Sequence, residues 1–167
     1  EFGAPALAAL RISAWAGGSF VGGVLAVLRP WRRQPGQRLL ILASLMALAS
    51  LPIAPASVAV VPLAFALAVQ GFTVAPTIAA SAELMAEVAP AASRTEAFAW
   101  STSAMTLGVA AGHAGAGLVV EGPGAPAALL AGALCLSLAA VAAAVAVRSA
   151  GRAGRVRESA PAPVAVA

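Results

Sequence analysis

The chain contains no lysine, no aspartate, no asparagine and no tyrosine, and only one cysteine and one histidine among its 167 residues. Each absence closes a class of function. A single cysteine, Cys135, excludes an intrachain disulfide framework and a cysteine-based zinc site. With one histidine, His113, and no aspartate, a Ser-His-Asp triad or a clustered metal centre has too few parts. No G-x-S-x-G, H-E-x-x-H or P-loop pattern occurs. Ser101 and Ser103 fall on the same helical run as His113 but two to three turns away, out of hydrogen-bond reach. The expectation is a protein that is not an enzyme and needs no cofactor or metal.

Charge is the next scarcity. Only 10% of residues are charged, 61% are hydrophobic, and the mean hydropathy is +0.94. A soluble domain carries about 25% charged residues, so this chain has too little polar surface to face water and the bilayer is its natural solvent. The net charge of +4 does not point to nucleic acid. All the basic residues are arginines, set in short clusters between apolar runs without aromatic interleaving or a basic face. The expected partner is the lipid bilayer.

A spanning helix needs about 20 apolar residues. The chain offers five such runs, at about 4–28, 37–54, 58–81, 95–120 and 124–147. The fold class is therefore all-α, a polytopic transmembrane bundle over 1–150, with an Arg-, Ala- and Pro-rich tail at 151–167 that reads as disordered and cytoplasmic. Pro- and Gly-rich breaks separate the runs: RPWRRQPGQR at 29–38, LPIAPAS at 51–57, EVAPAASR at 87–94 and EGPGAP at 121–126. Ser93-Arg94-Thr95-Glu96 has the spacing of a capping box, which predicts reciprocal side-chain caps at the start of the fourth helix.

The arginines choose their connections. Arg29, Arg32, Arg33 and Arg38 lie in or beside the first, Arg94 in the third, and Arg148, Arg152, Arg155 and Arg157 follow the fifth run; the second and fourth connections have none. Basic residues at alternate connections are what the positive-inside rule gives a chain that crosses five times, and they place the N-terminus outside and the tail in the cytoplasm. Arg38, at the start of the second run, would snorkel to the headgroups.

Helices in lipid associate through close packing of small residues. Gly18 and Gly22 in the first run and Gly108 and Gly112 in the fourth have GxxxG spacing, with Gly115 and Gly117 beyond. Arg11, Trp15, Gly18 and Gly22 share one helix face. Pro76, deep in the third run, is expected to bend or break its helix. Polar residues at membrane depth are scarce, so each is a candidate for a substrate path: Arg11 and His113 roughly 10 Å in from the outer surface, and Gln70 with Thr73 in the third run. Glu83, Glu87 and Glu96 group with Arg94 as an ion-pair network at the third connection.

Two stretches carry a likeness to a known family. GGVLAVLRPWRR at 22–33 resembles the Gly-x-Leu-Ala-Asp-Arg-x-Gly-Arg-Arg loop motif of the major facilitator superfamily, with Val27 where the motif has Asp. AELMAEVAPAASRTEAFAWSTSAMTLGVAAGHAGAGLVVEGPG at 82–124 is similar to the region joining helices ten and eleven in bacterial drug-efflux-like members. The resemblance covers about 4–150 and implies helices eight to twelve of a twelve-helix transporter whose two halves rock about a central site. It implies Gly23, Arg29, Arg32 and Arg33 as loop-motif residues, the third run facing the central cavity, and the first and fourth runs along the interface between halves. It further implies a C-terminal fragment, with the N-terminal half of the same transporter as partner, a small-molecule substrate, proton-coupled efflux and a bacterial plasma membrane. The alternative from the same residues is a five-helix, non-transporting membrane scaffold or assembly subunit.

Overall fold

The computed structural model describes residues 4–29 and 33–158, with side chains over 6–29 and 33–149. The element order is α1 (Ala4–Leu28), α2 (Pro35–Ser50), α3 (Ile53–Ala56), α4 (Val60–Val88), a 3₁₀ turn (Ala91–Ser93), α5 (Arg94–Glu121) and α6 (Ala125–Glu158), with no strand among the described residues. The protein is an all-α bundle, and among the described residues five segments are long and apolar enough to cross a membrane. The second of these, Pro35–Ala56, counts α2 and α3 together. Pro52 and Pro55 interrupt it, because each lacks the N–H that would continue the ladder.

α1 begins and ends where the apolar run does. α4 runs seven residues past the expected end at 81, through Glu83 and Glu87, and stops at Pro90, before which the backbone turns extended at Ala89. Pro76 does not break it: the helix is continuous from Val60 to Val88. α6 likewise continues through Glu158, so residues 151–158 of the expected disordered tail are helical; their Ala and Arg are strong helix formers. The rest of the tail, 159–167, lies outside the described residues.

The start of α5 falls at Arg94, one residue from the expected position, but not by the expected cap. Ser93 closes the 3₁₀ turn, and its N–H donates to the Pro90 carbonyl at 3.0 Å. Its backbone (φ −116°, ψ 11°) is outside the extended region an N-cap residue adopts, and its side chain makes no cap bond. The N–H that Glu96 would cap is already used.

α4 is the centre. α1 packs on it along one side, α2 along another, and α6 packs on α2; α5 leans mainly on α6. Against α1, Gly18 meets the backbone of Ala68 and Gly22 that of Phe72, so the two helices run parallel. α2 runs antiparallel to both, with Arg38 near its start reaching Glu83 near the end of α4. Gly36 at the start of α2 lies beside Leu84 of α4 and Val147 of α6. The fold therefore gathers Arg29, Arg33, Arg38, Arg94 and Arg148 at one end of the bundle, the arginine end, and leaves Glu121 at the other. Arg32 lies outside the described residues.

Candidate functional site

One polar residue of α4, Gln70, reaches across its seam with α1. Trp15 Nε1 donates to Gln70 Oε1 at 2.7 Å, joining the helices across a chain separation of 55 residues. Gln70 and Thr73 are both buried, and the Thr73 hydroxyl donates to the Gln70 carbonyl at 2.7 Å. Around this bond the backbones touch. A side chain at Gly18, Gly22 or Gly71 would collide with the carbonyls of Ala68, Phe72 and Trp15 respectively. The Phe72 carbonyl is the one that Pro76, four residues on, leaves without its helical N–H. Gly22 stands against it, so the freed carbonyl faces a close Cα–H rather than lipid. The seam and the proline thus belong to one arrangement.

Toward the arginine end the seam opens into two clefts that share Ala26 and Pro76. One, of about 270 Å³, lies between α1, α2 and α4 and is lined by Arg29, Leu42, Phe72, Thr73 and Pro76 among others. The second, of about 290 Å³, holds Gly23, Ala75, Arg38 and Glu83. Arg38 Nη1 donates to Glu83 Oε2 at 2.6 Å, with the Arg38 side chain 15% exposed and the Glu83 side chain 46%. This pair corrects two expectations. Arg38 does not simply snorkel, and Glu83 belongs to it rather than to a network around Arg94. Among the described residues it is the only ion pair, and Glu87, Arg94 and Glu96 are exposed. The signal in the sequence was opposite charges on two spans that meet at one end; the contact between those spans was not readable.

The sequence candidates therefore separate. Arg11, Gln70 and Thr73 lie on the α1–α4 seam, and of these only Thr73 lines a cleft. Of the loop-motif residues, Gly23 and Arg29 border the two clefts, and Arg33 is exposed just before α2. His113 is apart from all of them. It is exposed on α5, which buries no residue and does not touch α1. Gly108, Gly112, Gly115 and Gly117 have open space where a Cβ would stand, so the expected close packing through α5 is absent from this chain's own contacts. α5 meets only α6 and the ends of its neighbours, so its small face has no helix opposite. No three of His, Cys, Asp and Glu converge among the described residues.

No family model matches the chain, and neither a curated protein nor a solved structure does.

Proposed function

We propose that this chain is part of a secondary transporter of the major facilitator type, moving a small molecule across the bacterial plasma membrane, with proton-coupled efflux as its mode. The observation that carries the reading is the gathering of the arginines at one end of five apolar segments, around clefts that open between α1, α2 and α4. Arginines at one end give the topology of a positive-inside protein, with the N-terminus outside and α6 ending in the cytoplasm. The likeness of 22–33 and 82–124 to transporter loops supports the family. On this reading Thr73, Pro76 and Arg29 face the path, and the Arg38–Glu83 pair bridges two helices at its cytoplasmic mouth. The open small-residue face of α5 is where the other half of the transporter would pack.

The first test is the reading frame upstream of Glu1. About seven further apolar spans are expected there; a start codon immediately before Glu1 would overturn the reading and leave a five-helix scaffold. The second is ethidium movement in inverted vesicles carrying the complete product of that frame. Dye movement that collapses with a protonophore is expected, and movement indifferent to the proton gradient would remove the antiport.

A further inference from the structure

A charge inside a spanning helix is expensive unless something compensates it. Arg11 is the only charged residue of α1. It does not stand on the outward face. The more enclosed positions of α1 include Leu7, Arg11, Ala14, Gly18, Gly22 and Ala26, a stripe at steps of three and four that is the seam with α4. Arg11 is half-buried in that stripe, and its Nε is fully buried with no hydrogen-bond partner among the described residues. The terminal nitrogens are not enclosed in the same way.

No acidic group pairs with it among the described residues. The seam contacts of Gly18 with Ala68, Gly22 with Phe72 and Trp15 with Gly71, carried back along the parallel helices, set Arg11 against the first two turns of α4, between Val61 and Leu67. The facing stretch, VVPLAFALA from Val60 to Ala68, has no acid, no hydroxyl and no amide. Glu121 is at the same end of the bundle, but on α5, and α1 touches α4 alone among the described helices. The nearest polar group along α1's seam is Trp15, one turn away, and its N–H is committed to Gln70.

We propose that Arg11 is an anion-binding residue, whose guanidinium takes an anionic oxygen group at the end of the α1–α4 seam away from the other arginines. A guanidinium presents two parallel N–H donors that match a phosphate or carboxylate. The group is the phosphate of a lipid headgroup or a soluble phosphate or carboxylate; the chemistry is shared. The inference does not depend on transport, and it holds for a scaffold as well.

Trp15 provides the readout. The 167-residue chain carries three tryptophans, so Trp31→Phe and Trp100→Phe leave Trp15 alone. The protein is held in dodecyl maltoside, which has no anionic group, and titrated at constant ionic strength with short-chain phosphatidylglycerol, inorganic phosphate or acetate. A saturable change in Trp15 emission is expected with at least one. In Arg11→Gln the apparent affinity falls about tenfold or more, the loss of one charged hydrogen-bonding group, while Arg11→Lys, which keeps the charge but not the two-donor fork, loses less. Response to phosphatidylglycerol alone assigns the ligand to lipid, and response to phosphate or acetate assigns it to a soluble anion. No saturable response to any of the three, or an unchanged response in Arg11→Gln, overturns the proposal. The first of these outcomes uses no Arg11 variant, so poor folding of the glutamine protein does not shelter it.

Discussion

Gly18 and Gly22 on α1 and Gly108 and Gly112 on α5 have the same four-residue spacing, and the helices that carry them are equally apolar by mean hydropathy, at 1.4. They differ in what they meet. The α1 pair lies against the Ala68 and Phe72 carbonyls, and the α5 pair has nothing within 4 Å. The difference comes from the opposite helix. α4 supplies Gly71, which lets the backbones close from both sides, Gln70 to bond Trp15, and Pro76, which frees the Phe72 carbonyl. α5 meets no such surface in this chain and buries no residue. Spacing makes a close contact available; a complementary backbone makes it form.

The largest effect that breaks this comparison is steric. Gly22→Ile places a branched side chain onto the Phe72 carbonyl, in a seam where two backbones leave no room to shift. Overpacking of this kind costs about 3 kcal/mol, and the seam is expected to part. Gly112→Ile, in open space, stays within about 0.5 kcal/mol of the parent. Unfolding in mixed micelles titrated with sodium dodecyl sulfate, followed by far-UV circular dichroism, measures both. Equal losses would mean that the two glycine series are equivalent.

The next effect is electrostatic and tests the other face of α4. Glu83→Gln removes the acid from the Arg38 pair, in which the arginine is mostly enclosed and the glutamate about half-exposed. Screening at Glu83 holds the expected loss to about 1 kcal/mol. Glu87→Gln, one turn on and exposed, is expected to change stability by less than about 0.5 kcal/mol. The same titration reads both, and a Glu87 variant that costs as much as Glu83 would restore the network around Arg94 that the sequence suggested.

Smaller still is the single hydrogen bond in the seam. Trp15→Phe keeps an aromatic side chain, smaller by the fused five-membered ring, and loses the donor to Gln70. Hydrogen bonds between membrane helices average about 0.6 kcal/mol, because the separated helices find other partners, so a loss of about that size is expected. A cost several times larger would make this bond, rather than the glycines, the main hold between α1 and α4.

These contrasts also mark what was legible in the residues. The bounds of α1 and α5 were, because apolar length and Pro-Gly breaks are local. The shared face of Arg11, Trp15, Gly18 and Gly22 was, because helix periodicity fixes it. Which helix that face would meet was not. The Trp15–Gln70 and Arg38–Glu83 contacts span 55 and 45 residues, and no local pattern distinguishes α4 from α5 as the neighbour. Gln70 and Thr73 stood out as polar residues in an apolar run, and what each would meet was not legible: Gln70 bonds Trp15 of α1, while Thr73 bonds its own helix and lines the cleft beside α2. The capping box failed for a related reason: Pro90, three residues upstream, had already claimed the Ser93 N–H.

The smallest expected effect is the most informative about α5. His113 is exposed there, one residue from Gly112, on a helix that buries nothing. In the isolated chain His113→Ala removes no contact, so stability should change by less than about 0.5 kcal/mol. In the complete product of the reading frame the same substitution meets a different test. If another half packs there, the small face of α5 becomes an interface and His113 a polar group at its centre, where a lost partner costs about 1 kcal/mol or more. The comparison between α1 and α5 then turns from a difference of kind into a difference of context: both glycine series are seams, and one of them closes only against residues that this chain does not supply. Equal and negligible effects in both proteins would instead leave α5 a lipid-facing helix, and its spacing a product of composition.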